Sequence, residues 1–134
     1  MLPTEFRKTI YLGDRACKSI VIDGWDERVV IQVNEISRVR SASGRWEYYN
    51  DENIVDGLLV FTDARSILFD PVGPIPNDYI DFLEVEPLPD DYYRFKLSVG
   101  SVDSSAKTTE ILVSIDAKRV HLEDPAKPGV WIED

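Results

Sequence analysis

The residues best suited to chemistry are few and far apart. His121 is the sole histidine and Cys17 the sole cysteine. They cannot assemble a zinc site of the usual Cys/His kind, and no intramolecular disulfide can form. A Ser-His-Asp triad could be drawn only through His121. That side chain shares a face with Arg119 and Glu123 and alternates with Val120 and Leu122, so it is expected to be exposed. Nothing around it resembles the sharp turn that presents a nucleophile. There is no Gly-x-Gly-x-x-Gly and no phosphate-binding loop. Asp23-Gly24-Trp25-Asp26-Glu27 and Asn50-Asp51-Glu52-Asn53 could offer oxygens to calcium, but neither has the spacing of an EF-hand loop, and both read as acidic turns. Carboxylate pairs suited to glycosidase-like work occur throughout. Any protein with 25 acidic residues offers such pairs, so they single out no centre. The expectation is a protein that is not an enzyme and takes no cofactor or metal.

The acids are more informative as a field. The 134-residue chain carries a formal net charge of -10, unevenly placed. Residues 1–67 hold 9 basic and 11 acidic side chains, net -2, and residues 68–134 hold 6 and 14, net -8. No Lys or Arg occurs between Arg65 and Arg94, a gap that contains Asp70, Asp78, Asp81, Glu84, Glu86, Asp90 and Asp91. Such a field repels nucleic-acid phosphates and anionic lipid. It attracts a basic protein and speeds the encounter. The candidate partner-binding residues are Asp78, Asp81, Asp90 and Asp91, with Trp46, Tyr48 and Tyr49 as aromatic anchors from a polar loop that could equally pack onto the domain. Glu84 and Glu86 are poorer candidates, because Arg94 and Lys96 can neutralise them.

The elements that must position these residues are strands. Lys18–Asp23, Val29–Val33, Leu58–Phe69, Tyr92–Val99 and Ile111–Leu122 are β-branched or alternating, and Phe6–Leu12 is a weaker candidate. Asn77 could cap a short helix carrying Tyr79, Phe82 and Leu83, but a strand is preferred there. It forms a hairpin centred on Asp90, in which Glu86 faces Arg94, Glu84 faces Lys96, Val85 faces Phe95 and Leu83 faces Leu97. The fold class that follows is mainly β: an antiparallel two-sheet sandwich or partly open barrel with bent strands and little helix. At this length one domain, 1–134, is expected, large enough to bury a core without staples.

Within that domain an internal strand-bend-strand repeat (58–74 and 111–128) stands out. Leu59-Val60-Phe61-Thr62-Asp63-Ala64-Arg65-Ser66-Ile67 runs on to Asp70-Pro71-Val72-Gly73-Pro74. Leu112-Val113-Ser114-Ile115-Asp116-Ala117-Lys118-Arg119-Val120 runs on to Asp124-Pro125-Ala126-Lys127-Pro128. Asp and Ala are poor strand residues, so the Asp-Ala step reads as a bulge or corner that lets one strand serve two sheets. The Asp-Pro then ends it.

Trp46-Glu47-Tyr48-Tyr49-Asn50-Asp51, the stretch Phe69 to Asp78, and His121-Leu122-Glu123-Asp124-Pro125 resemble a small bacterial family of unknown function. The strand-bend-strand unit also resembles segments of small immunity proteins from bacterial toxin systems. Neither resemblance supplies a catalytic residue. The second implies a cytoplasmic inhibitor that binds a basic toxin domain. A cytoplasmic location also suits the charged start, Glu5, Arg7 and Lys8, where a signal peptide would be apolar, and no apolar run of membrane-spanning length occurs. Two other functions fit the same residues: a small-ligand or carbohydrate-binding β domain, and a structural module that self-associates through a strand edge.

Overall fold

A computed structural model describes residues 1–40 and 51–134. It is mainly β, with two antiparallel sheets of three and eight strands that do not close into a barrel. The strands are β1 (Ile10–Tyr11), β2 (Arg15–Asp23), β3 (Arg28–Val33), β4 (Glu35–Arg38), β5 (Ile54–Val55), β6 (Leu58–Thr62), β7 (Ser66–Asp70), β8 (Tyr79–Pro87), β9 (Tyr93–Val102), β10 (Thr108–Ala117) and β11 (Arg119–Glu123). One short helix, α1 (Pro3–Phe6), precedes them.

The eight-stranded sheet has the order β11-β6-β3-β2-β8-β9-β10-β7. It folds over on itself at β2. Arg15 and Ala16 pair with β8, whereas Cys17 to Asp23 pair with β3, across a register shift between Cys17 and Ser19. A bulge of this kind bends a strand and turns the sheet. Two four-stranded halves result, β11-β6-β3-β2 and β8-β9-β10-β7, and their inner faces pack together. Phe61 of β6 lies 5.0 Å from Phe95 of β9 and 6.5 Å from Phe82 of β8, ring centroid to centroid. Around them Leu59, Ile31, Leu97, Val99, Val113 and Ile115 are fully buried. Alternation puts them there on β3, while β6, β9 and β10 also bury neighbours on the other face, such as Val60. Phe6 from α1, Ile10, Ile36 and Ile54 from the three-stranded sheet β1-β4-β5, and Leu12 just after β1 join the same core.

The two resembling segments pair with each other. β7 lies antiparallel to β10 and β6 antiparallel to β11, so residues 58–70 and 112–123 form one bent ribbon that enters both halves. The first segment turns at Asp63-Ala64-Arg65, with Asp63 at φ 51°. Aspartate is among the few side chains that tolerate this left-handed conformation. In the second segment Asp116 and Ala117 remain in β10, and only Lys118 lies between the strands.

The β8–β9 hairpin pairs Glu84 with Lys96, Val85 with Phe95 and Glu86 with Arg94. Beyond Glu84 the expected register fails. A bulge between Phe82 and Glu84 makes Phe82, not Leu83, the partner of Leu97, and Leu83 is left 39% exposed. The reason lies in the spacing of Ile80, Phe82 and Val85. The step from Phe82 to Val85 is odd, so one extra residue must leave the ladder for all three to face inward. The Arg7 guanidinium donates to the carbonyls of Phe82 and Leu83 at that point, which satisfies acceptors on the bulged edge.

Candidate functional site

Turned away from the core, the half β8-β9-β10-β7 presents its polar face in cross-strand rows. Glu86, Arg94, Asp116 and Ser66 form one, Glu84, Lys96, Ser114 and Leu68 the next, and Asp81, Ser98, Leu112 and Asp70 a third. Glu110 follows opposite Gly100, over which the Tyr79 ring lies so closely that an added Cβ would sit 2.5 Å from it. Six carboxylates (Asp70, Asp81, Glu84, Glu86, Glu110, Asp116) thus share a face with two cations, Arg94 and Lys96. The cations are already taken. Arg94 grips Asp116 with two bonds, Nε to Oδ1 at 2.9 Å and Nη2 to Oδ2 at 3.0 Å. That grip holds the Asp116 carboxyl below its usual range, against the opposing effect of burial. Lys96 Nζ lies 3.0 Å from Glu84 and 3.3 Å from Glu86, and its hydrogen bonds to both raise its pKa. Glu110 accepts a bond from the Ser98 hydroxyl at 2.8 Å. Asp70 and Asp81 have no cationic partner among the described residues.

At one corner of this face four connections gather: the β2–β3 turn, the β6–β7 bend, the β8–β9 turn and the β10–β11 junction. The Ala64 N–H donates to the Glu27 carbonyl at 2.8 Å, Arg65 N–H to Asp116 O at 2.9 Å, and Lys118 N–H to Thr62 O at 3.2 Å. The guanidinium of Arg65 stacks 3.8 Å from the Tyr92 ring centroid, and Lys118 Nζ lies 5.4 Å from it. The basic residue of each bend therefore rests on the same tyrosine. Glu27, Asp63, Asp90 and Asp91, in three of these four connections, all adopt positive φ, 51°, 51°, 64° and 63°, so the backbone turns tightly at each.

The four predicted acids are therefore not one cluster. Asp90 and Asp91 are exposed at this corner, and Asp81 is exposed on the sheet face. Asp78 is half-buried at the opposite end of β8, where its N–H donates to Gly100 O at 3.0 Å and its carbonyl accepts from Cys17 N–H at 2.7 Å. None of the four makes an ion pair with a described residue. Trp46, Tyr48 and Tyr49 lie outside the described residues. The aromatic side chain that the corner does present is Trp25, 96% exposed at the tip of the β2–β3 turn. An aromatic residue within Asp23-Gly24-Trp25-Asp26-Glu27 was its signal. Only the gathering of loops from distant parts of the chain gives that signal a setting.

His121 is corrected by the structure: it is 1% exposed, not solvent-facing. The outer side of β11 is covered by a later segment. Trp131 stacks on the imidazole at 4.1 Å and 12°, and Leu122 and Ile132 exchange backbone bonds of 2.9 Å. Burial lowers the His121 pKa, while Glu123, 3.2 Å from Nε2, opposes the shift. Cys17 is buried as well, and burial pushes its thiol up to about 11. Among the described residues no group of three or more His, Cys, Asp or Glu side chains could hold a metal ion, and no helix is long and apolar enough to cross a membrane. A separate cleft of about 320 Å³ is lined in part by Arg38, Arg40 and Asn53. Arg38 there ties distant segments together, donating to Thr9 Oγ1 at 3.1 Å and to the Asp134 carbonyl at 2.7 Å.

A model described as "Family of unknown function (DUF6258)" matches residues 1–134. No curated protein and no solved structure matches the chain.

Proposed function

Because the chain belongs to that family of unknown function, we propose its role from its own surface: a non-catalytic protein that captures a basic protein domain through acidic side chains. In its biological form it would be an immunity-like inhibitor, held in the cytoplasm, that occupies the cationic cleft of a toxin domain. The observation that carries this reading is the imbalance on one side of the molecule. Arg94 and Lys96 are already ion-paired, whereas Asp81, Asp90 and Asp91 are exposed and have no ion-pair partner among the described residues. These acids are mounted on paired strands and a tight turn, so little ordering would be required on binding. Their combined field favours fast encounter with a positive partner. The only histidine and the only cysteine are packed inside, which favours binding over group transfer.

The test is protection. Each neighbouring gene that encodes a basic domain is expressed with and without this protein, and growth is followed. The wild type should restore growth against one of them, and the variant Asp78→Asn/Asp81→Asn/Asp90→Asn/Asp91→Asn should not. Full protection by that folded variant rejects the mechanism.

A second reading, self-association through a strand edge, is favoured by β7. It is an edge strand of the large sheet, and its Leu68 is 60% exposed. The opposite edge, β11, is covered by the bridge to Ile132. Sedimentation of the wild type and Leu68→Lys decides it: a dimer that the substitution dissociates supports this reading, and a monomer at all concentrations rejects it.

A further inference from the structure

We propose that Trp25 is the anchor of the partner-binding surface and receives an arginine or lysine side chain of the basic partner on its indole face. This rests on the reading of the protein as a binder of basic domains and assigns the residue around which that binding is organised. Tryptophan carries a large apolar area and is usually well covered. Trp25 is 96% exposed, on a turn that is itself well built. Asp26 N–H donates to Asp23 Oδ1 at 3.2 Å and Glu27 N–H to Gly24 O at 3.3 Å, and the Glu27 carbonyl receives Ala64 N–H at 2.8 Å. The indole is thus held out from a fixed base, with no packing role to account for it.

Beside it opens a cleft of about 530 Å³ between the β2–β3 turn and the β6–β7 bend, with Ile22, Val29, Ala64 and Ile67 in its lining. An apolar floor of this kind suits the methylene stem of a long cationic side chain. The cleft lining holds Asp23 and Glu27 against Arg28 and Arg65, so the head group is selected by the wider corner formed by the gathered connections. Arg28 is engaged with Asp23 at 3.8 Å, Arg65 is stacked on Tyr92, and Lys118 Nζ lies 5.4 Å from the same ring. Asp26, Glu27, Asp63, Asp90 and Asp91 make no ion pair with a described residue. Those five carboxylates outnumber the two cations of the bends, Arg65 and Lys118, which also make no ion pair with a described residue. The corner's balance is therefore negative, beside the aromatic ring that attracts cations most strongly. Exposed aromatic anchors set among complementary charges are the usual centres of binding energy in an interface.

The experiment uses the full chain and a ten-residue arginine peptide as the probe, with indole N–H resonances recorded during titration. The Trp25 resonance is identified by its loss in Trp25→Ala. It should move on titration, and Trp25→Ala should weaken peptide binding about two- to fivefold, as expected for an exposed cation–ring contact. Asp90→Asn/Asp91→Asn should weaken binding independently. If Trp25→Ala binds as the wild type does while the double Asn variant is weakened, the anchor is wrong and acidic capture stands. If both variants bind unchanged, acidic capture fails as well. If the protein alone sediments as a dimer that Trp25→Ala dissociates, the surface belongs to a second copy and the proposal is overturned.

Discussion

Asp90→Asn/Asp91→Asn compared with Asp78→Asn tests where on the molecule a cationic partner sits. The nine residues of β8 separate the two sites, a distance of roughly 25–30 Å at about 3.3 Å per residue. At 0.15 M salt the screening length is about 8 Å, so the field of Asp78 at the corner falls to about 3% of its unscreened value. At 0.01 M the length is about 30 Å and about 40% of the field survives. A partner seated at the Trp25 corner should therefore ignore Asp78→Asn at 0.15 M and respond to it at 0.01 M. The double Asn variant should weaken binding at both, by about two- to fivefold per acid at 0.15 M, mainly through the association rate. Association rates for the arginine peptide at the two salt concentrations give the answer. Equal effects of the two variants at 0.15 M would refute the placement of the partner at this corner.

Three further outcomes follow from the packing. Phe61→Ala removes a fully buried ring that touches both halves of the large sheet and should cost about 3–5 kcal/mol in urea unfolding; a loss below about 1 kcal/mol would mean that the halves do not meet there. His121 has a pKa below 6.5 when folded, so the unfolded chain binds more protons as pH falls through that region and stability should decline from about pH 7 toward pH 5. His121→Gln should decline less over the same interval, and equal slopes in thermal melts would contradict the assignment. Cys17, pushed up to about 11 by burial, should react slowly with a disulfide reagent at pH 8 and quickly once urea unfolds the chain; rapid labelling of the native protein would show an accessible thiol.

Where sequence pattern alone sufficed, two independent demands agreed. The β8–β9 register from Glu84 to Glu86 satisfies charge pairing outside and apolar pairing inside with one alignment, which leaves few alternatives. The bulge at Leu83 escaped because Leu83 is itself apolar and continues the local alternation; the odd step from Phe82 to Val85 was the signal, and it lies one residue further on. The burial of His121 depends on Trp131, ten positions later, and no strand-level period can encode a cover supplied from elsewhere. The acids of the second half read as one cluster because they are close along the chain. In space a single long strand holds Asp78 away from Asp90 and Asp91. Trp25 was visible as an aromatic residue in an acidic turn, but the seating of that turn against the β6–β7 bend, through Ala64 N–H and the Glu27 carbonyl, exists only after the bends have formed.

The bent ribbon also governs how the chain can reach this shape. β3 rests on β6 and β9 rests on β10, and each of those inner strands continues into the opposite half of the sheet. The half β8-β9-β10-β7 comes from one stretch, residues 66–117, whereas the half β11-β6-β3-β2 joins residues 15–62 to β11 at 119–123 and cannot be completed until that strand arrives. During synthesis β6 can pair with β3 at once, but its other edge and the whole of β7 have no partner until residues 112–123 have left the ribosome, so the growing chain must keep those edges uncovered for that interval. Contacts so distant in sequence favour slow, all-or-none folding. A chain ending before residue 112 would lack strands on both sides of the core at once.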